Sequence, residues 1–113
     1  MKRFLSWILC LTLLLALLPM QTVFAAAGIE INSTNFPDAN FRSFISKNYD
    51  GAGKGYLTSA QVAAVNIMGC AFSEISNLKG IEYFTAVTIL FCNNNQLTNL
   101  DVSRNTALVD LLC

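Results

Sequence analysis

Hydrophobic and polar positions fall into three patterns along the chain. An unbroken apolar run extends from Phe4 to Leu18 and is followed by Pro19. Between residues 37 and 65 the apolar positions follow helical spacing, and from residue 65 onward they recur with a period of 21 or 22 residues. The three patterns predict a targeting segment, a pair of helices and a structural repeat.

The repeat consists of short apolar stretches that end in cysteine. Aligning Cys92 with Cys113 gives an offset of 21 residues, and a step of 22 residues in the other direction reaches Cys70. The matched positions are Val65, Met68 and Cys70, then Val87, Leu90 and Cys92, then Leu108, Leu111 and Cys113. This period with L-x-x-L-x-L-x-x-N/C-x-L phasing is typical of a leucine-rich repeat. The predicted fold class is therefore α/β, a solenoid with short parallel strands over residues 65–113, comprising about two coils and the start of a third.

Alternation along each strand divides its side chains between the core and the surface. Leu90 and Leu111 are predicted to point inward. The three repeat cysteines should stack as an inward column, with neighbours about 4.8 Å apart. Asn95 follows the second strand, and we expect its side chain to bond backbone groups of its own coil and of the neighbouring coil.

Three states of the cysteine column are open at the level of the sequence. Buried free thiols are favoured, because cysteine is among the most buried residue types and the predicted secreted chain contains an odd number of them. A disulfide between adjacent coils has a suitable Cα separation, but parallel side chains fit its dihedral requirement poorly. A metal site made from the three cysteines lacks a fourth ligand.

The segment before the repeat predicts two helices. Pro37 and Asp38 suit a first helical turn, and the apolar residues that follow at helical spacing are Phe41, Phe44, Ile45 and Tyr49. The second helix is predicted to start at Thr58, where Thr58 and Gln61 form a capping box.

The glycine-rich loop between these helices invites comparison with a calcium-binding EF-hand. Asp50 and Gly55 fit positions 1 and 6 of such a loop. Ala52, Lys54 and Gln61 stand where oxygen ligands, including a bidentate carboxylate, are needed. We therefore expect an EF-hand-like helical cap over residues 28–64 that binds no metal.

The apolar run and its flanks predict a secretory signal peptide over residues 1–27. Lys2 and Arg3 precede the run, and the small residues Ala25 and Ala27 offer two cleavage positions. The alternative is a membrane anchor, which needs about 20 apolar residues. The run from Phe4 to Leu18 is shorter than that, so cleavage and secretion are favoured.

Charge and composition exclude several function classes. The segment after residue 27 carries five basic and seven acidic residues, a net charge of about minus two, so nucleic acid is not an expected partner. The chain contains no histidine, which removes the commonest general base and metal ligand. No paired carboxylates or activated nucleophile stand out. We expect neither an enzyme nor a cofactor.

Several stretches resemble the internalin family of Gram-positive surface proteins. They are INSTNFPDANFRSFI, the degenerate EF-hand-like pair, and LKGIEYF leading into the repeats. The repeat from Leu90 to Asn105 also resembles secreted leucine-rich-repeat proteins of clostridia. The resemblance extends from Ile29 to Cys113 and implies a helical cap that shields one end of the solenoid. It also implies a concave strand face that binds a partner protein.

The leading hypothesis is a secreted, monomeric protein-interaction module. Its predicted contact residues point outward from the strands and are Ile89, Phe91, Asp110 and Leu112, with Ile67 and Gly69 before them. The alternatives are a calcium-dependent docking module of the dockerin kind and a non-functional fragment of a longer surface protein. A fragment is suggested because Leu111 and Cys113 would lie at an uncapped edge.

Overall fold

The structure is a computed structural model that describes residues 28–113. Its elements are β1 (Ile29–Glu30), α1 (Ala39–Tyr49), β2 (Tyr56–Leu57), α2 (Ser59–Ala63), β3 (Ile67–Gly69), a 3-10 helix (Ile81–Tyr83), β4 (Ile89–Phe91) and β5 (Asp110–Leu112). The predicted signal peptide lies outside the described residues. Within residues 28–113, no helix is long and apolar enough to cross a membrane.

The first part of the chain contains the two helices and a small antiparallel sheet. β1 pairs with β2, with Ile29 opposite Leu57. Helix α1 begins one residue later than the sequence suggested, because Asp38 is its N-cap and Pro37 lies before it. The Asp38 carboxylate accepts hydrogen bonds from the backbone amides of Asn40 and Phe41. The buried face of α1 is formed by Phe41 and Ile45.

Helix α2 is short and is stabilised at its start by side chains. The Thr58 hydroxyl accepts a hydrogen bond from the Gln61 amide, and the Gln61 side chain accepts one from the Thr58 amide, at 3.1 and 2.8 Å. These reciprocal bonds satisfy donors that have no partner within the helix. Val62 is the buried residue of this helix.

The second part contains a three-stranded parallel sheet in the order β3, β4, β5. The pairing is in register across the predicted repeat: Met68 lies opposite Leu90, and Leu90 lies opposite Leu111. Each crossover returns the chain to the same edge of the growing sheet. The fold is therefore α/β with few helices and short parallel strands.

One continuous core joins the helical part to the sheet. It contains the α1 and α2 residues Phe41, Ile45 and Val62 together with Met68 and Leu90 from the strands. Leu97, Leu100 and Val102 are partly buried against it from the loop after β4. Gly80 has a φ of 110°, and a Cβ there would collide with the ring of Phe36, so this position requires glycine.

Candidate functional site

The outward face of the parallel sheet carries the predicted contact residues. Ile67, Ile89 and Asp110 form one row across the three strands, and Gly69, Phe91 and Leu112 form the next. Ile67 is 58% exposed, Leu112 55% and Phe91 39%. Asp110 is exposed and Ile89 is half-buried. The register thus places all four predicted contact residues on one surface, which we call the strand face.

An open groove of about 520 Å³ lies where the helical part meets this face. It is lined by residues of α1, α2 and the start of β3, among them Tyr49, Val65 and Ile67. Burial raises the pKa of the Tyr49 phenol, and Cys70 adds a smaller effect in the same direction. The groove shares Ile67 with the strand face, so the two surfaces are continuous.

The inward side of the sheet holds the cysteine column. Cys70 and Cys92 are buried, whereas Cys113 is exposed. The sulfur atoms of Cys92 and Cys113 are in direct contact and are assigned as a disulfide, with Cα atoms 4.7 Å apart, while Cys70 is a free thiol. The expectation of three free thiols therefore differs from the structure at this pair. The physical reason is the exact register, which stacks Cys113 on Cys92 at a separation that disulfides accept.

Cys70 is the chemically protected member of the column. Burial raises the pKa of its thiol to about 11. A thiol, unlike a thiolate, is a poor nucleophile and a poor metal ligand. Among residues 28–113, no group of three or more acidic or cysteine side chains is placed to hold a metal ion.

Leu111, which was predicted to point into the core, is 42% exposed. It occupies the same register as Leu90, which is fully buried. The difference arises because β4 has a strand on both sides, whereas β5 has one only on the β4 side among the described residues. Leu111 is thus an inward-row residue that lacks cover.

Asn95 connects two successive coils through four hydrogen bonds. Its side-chain oxygen accepts from the backbone amides of Ser73 and Ile75, both at 3.0 Å. Its side-chain nitrogen donates to the carbonyls of Cys70 and Cys92 at 2.9 and 3.0 Å. The amide side chain therefore satisfies two donors and two acceptors where the backbone turns away from the strands.

Asn105 has a related role that the sequence reasoning did not assign. It is buried, and its side-chain nitrogen donates to the carbonyls of Ile81 and Phe84 at 2.9 and 3.0 Å. Its side-chain oxygen is buried without a hydrogen-bond partner among the described residues. An asparagine that recurs ten residues after Asn95, inside the same repeat, was the available signal.

Asp38 also does more than cap α1. Its second carboxylate oxygen accepts hydrogen bonds from the amides of Ser76 and Asn77, at 2.8 and 3.1 Å. Partial burial would raise the pKa of this carboxyl, but its four backbone hydrogen bonds together lower it below the usual value of 3.8. The sequence gave no sign of this link, because the residues are 38 and 39 positions apart. One carboxylate therefore fastens the helical part to the loop after β3.

Asp50, the first residue of the EF-hand-like loop, is buried and bonded within its own loop. Its two carboxylate oxygens accept from the amides of Lys54 and Gly55 at 3.0 and 2.8 Å. The loop turns through Gly53 and Gly55, which have φ values of 66° and 81°. The carboxylate thus stabilises a tight turn that needs glycine.

Comparison with known proteins supports a relationship with internalins. No protein-family model matches the chain. Internalin J of Listeria monocytogenes serotype 4b (strain F2365) is 36% identical over 87 residues, 77% of this chain and 10% of that protein. Internalin J of serovar 1/2a (strain ATCC BAA-679 / EGD-e) is 36% identical over 71 residues, 63% of this chain and 8% of that protein. The chain thus spans about a tenth of the length of these relatives.

Two solved structures show the same architecture. The functional domain of InlJ from Listeria monocytogenes, described as including a cysteine ladder, superposes with a TM-score of 0.66 at 34% identity. It matches 77% of this chain and 20% of that one. An internalin, InlF, from Listeria monocytogenes strain 4b F2365 superposes with a TM-score of 0.63 at 24% identity and covers 76% and 26% of the two chains, which shows the fold alone.

The stacked parallel strands and the asparagine between coils define a leucine-rich-repeat protein. With the sequence matches, the class becomes narrower: this is an internalin-like leucine-rich-repeat chain, homologous to internalin J.

Proposed function

We propose that the chain is a secreted protein-interaction module that binds a partner protein through its strand face. Its coils form a solenoid over residues 65–113, and residues 28–64 form an EF-hand-like cap that covers one end. The N-terminal sequence pattern supports secretion, and the relationship to internalin J supports a binding role without catalysis.

The observation that carries this proposal is the exposure of large apolar side chains on a rigid sheet. Ile67, Phe91 and Leu112 are each well exposed, and they occupy outward positions on three successive strands. Contiguous exposed apolar surface on a folded protein marks interaction sites more often than isolated apolar residues do. Parallel strands hold these side chains in fixed positions, so that ordering them on binding costs little entropy.

Phe91 is the proposed centre of the contact. It lies on the middle strand, between Gly69 and Leu112. Aromatic side chains near the centre of an interface often dominate the binding energy, because they bury large area with few rotatable bonds. Ile89 lies beside it on the same strand, and Asp110 contributes the charge of the face.

The experiment uses a phage-displayed library of random peptides selected against the purified chain. Peptides that are enriched are synthesised, and their affinities for the wild type, Phe91→Ala and Thr98→Ala are measured by surface plasmon resonance. Thr98 is exposed in the loop after β4, away from the strand rows, and serves as the matched control. We expect Phe91→Ala to weaken binding by about tenfold or more and Thr98→Ala to leave it unchanged.

Two results would contradict the proposal. Selected peptides that bind Phe91→Ala as tightly as the wild type would place the binding surface elsewhere. A library that yields no peptide dependent on the strand face would count against this face as an interaction site. Thermal unfolding of each variant verifies that the fold is retained.

A further inference from the structure

Gly69 interrupts the apolar strand face. It is the outward residue that ends β3, and its neighbour across the sheet is Phe91. Ile67 precedes it on the same outward side of β3. A glycine at this position leaves a notch bounded by the side chains of Ile67 and Phe91, at the level where the other two strands carry Phe91 and Leu112.

Nothing within the described chain requires a glycine at this position. Its φ is not in the left-handed region, so any residue could adopt its backbone conformation. A Cβ added there would meet no atom within 4 Å. Gly80 and Gly28 differ, because a Cβ at either would collide with neighbouring atoms. A glycine inside a strand costs about 0.5–1 kcal/mol relative to alanine. Such glycines often mark places where another backbone or a ligand approaches closely.

The surroundings of the notch indicate the chemistry of its occupant. β3 and β4 contain no ionisable residue, and Ile67 and Phe91 present exposed apolar surface on two sides. The single ionisable residue in the three parallel strands is Asp110, which is exposed. It lies two strand spacings across the sheet and two residues along it, roughly 12 Å from Gly69.

We propose that Gly69 forms a docking notch for an apolar side chain of a partner protein, and that Asp110 pairs with a basic group of the same partner. This inference rests on the proposed function of the strand face and specifies the chemistry of the partner. The missing side chain lets the partner approach the β3 backbone closely. The carboxylate of Asp110 then fixes the orientation of the partner through charge complementarity.

The test fills the notch without disturbing the fold. Gly69→Ala and Gly69→Leu add side chains into open space, and Thr98→Leu adds the same leucine at an exposed position away from the strand face. Because the space is open and the backbone is extended, the Gly69 variants should unfold at the wild-type temperature or slightly above it. Thermal unfolding followed by circular dichroism measures this.

The binding probes are the peptides selected from the random library against the wild-type chain. We expect enriched sequences to contain an apolar residue together with a lysine or arginine. Gly69→Leu should weaken their binding by about tenfold or more, Gly69→Ala by less, and Thr98→Leu not at all. Asp110→Asn should weaken binding by about two- to fivefold and reduce its dependence on salt.

The possible results separate the notch from the broader function. Peptides that lose affinity with Phe91→Ala but bind Gly69→Leu normally would overturn the notch and leave the strand face as the binding surface. Peptides unaffected by either change would overturn both proposals, as would a library that yields no binder. Enriched peptides without an apolar residue, or without a basic one, would refute the stated partner chemistry.

Discussion

The two ends of the parallel sheet differ in how their inward residues are covered. Met68 on β3 and Leu90 on β4 are fully buried, whereas Leu111 on β5 is 42% exposed, although the three occupy one register. β3 is covered by the helical part and β4 by both neighbouring strands. The comparison shows that burial in this fold is supplied by the adjacent layer, since each strand has the same inward pattern.

The polar groups of the two ends differ in the same way. Near the cap, the Asp38 carboxylate accepts four backbone hydrogen bonds, and both polar atoms of the Asn95 side chain are bonded. Farther along, the side-chain oxygen of Asn105 is buried without a partner among the described residues. Satisfaction of polar groups therefore also decreases from the capped end toward β5.

The largest expected effect is on core packing at the shared register. Leu90→Ala should lower the free energy of unfolding by about 3 kcal/mol, because it leaves a cavity among fully buried neighbours. Leu111→Ala should cost about 1 kcal/mol or less, because much of that side chain is already in water. Urea denaturation of the two variants measures both values. Equal losses would show that β5 is covered as completely as β4.

The two asparagines should differ in the same direction. Asn95→Ala should destabilise the chain by about 2 kcal/mol, because two backbone amides and two carbonyls lose their partner. Asn105→Ala should cost about 1 kcal/mol, because it removes two donated bonds but also an unpaired oxygen. Denaturation with Asn93→Ala as a control checks the order. A larger loss at Asn105 would contradict the comparison.

Asp38 should make stability depend on pH at the capped end. Its pKa is lowered in the folded state, so its ionised form stabilises the fold above the unfolded value of 3.8. This contribution is lost as the pH falls through the lower folded value. Asp38→Ala should cost about 1 kcal/mol at neutral pH through loss of the N-cap.

The matched variant for this pH effect is Asp38→Asn, which keeps an acceptor oxygen but no charge. Its deficit in stability relative to the wild type should shrink as the pH is lowered from about 5 toward about 2. Asp110→Asn alters an exposed carboxylate at the other end of the sheet and serves as the control. A constant deficit for Asp38→Asn across this range would remove the proposed linkage.

The cysteine column should show the same contrast in reactivity. After reduction, Cys113 should be alkylated quickly in the folded chain, because it is exposed. Cys70 should react only on unfolding, because it is buried and its pKa is raised to about 11, so that almost no thiolate forms near neutral pH. Peptide mass mapping after timed labelling distinguishes the two. Rapid labelling of Cys70 would show that the capped end opens.

The repeat could be read from the sequence because its period fixes both the strands and their register. Once Cys70, Cys92 and Cys113 are aligned, alternation assigns the inward and outward residues, and the α/β class follows. The capping box at Thr58 was accessible for a similar reason, because it depends on residues three positions apart. Local patterns carry local structure.

The missed features depend on contacts between distant residues or on the absence of a neighbour. The link from Asp38 to Ser76 joins positions 38 residues apart, which no local pattern records. The exposure of Leu111 could be anticipated from the edge but not quantified. The pairing of Cys92 with Cys113 depends on the register in three dimensions. The notch at Gly69 became visible only when its open surroundings were known.

The smallest expected effect is that of calcium on the capped end. Both carboxylate oxygens of Asp50 already accept backbone hydrogen bonds within the loop, and Lys54 places a positive charge beside them. Calcium prefers six to eight oxygen ligands, so binding would have to break these bonds and supply donors that Ala52 and Gln61 do not offer. Millimolar calcium should leave the unfolding temperature of the wild type unchanged, and magnesium at equal ionic strength is the control. Asp50→Asn should lower that temperature with or without calcium, because the carboxylate stabilises the turn itself. A rise specific to calcium that is absent in Asp50→Asn would instead make the cap a metal-dependent docking element, and the capped end would then differ from the strand face in function as well as in burial.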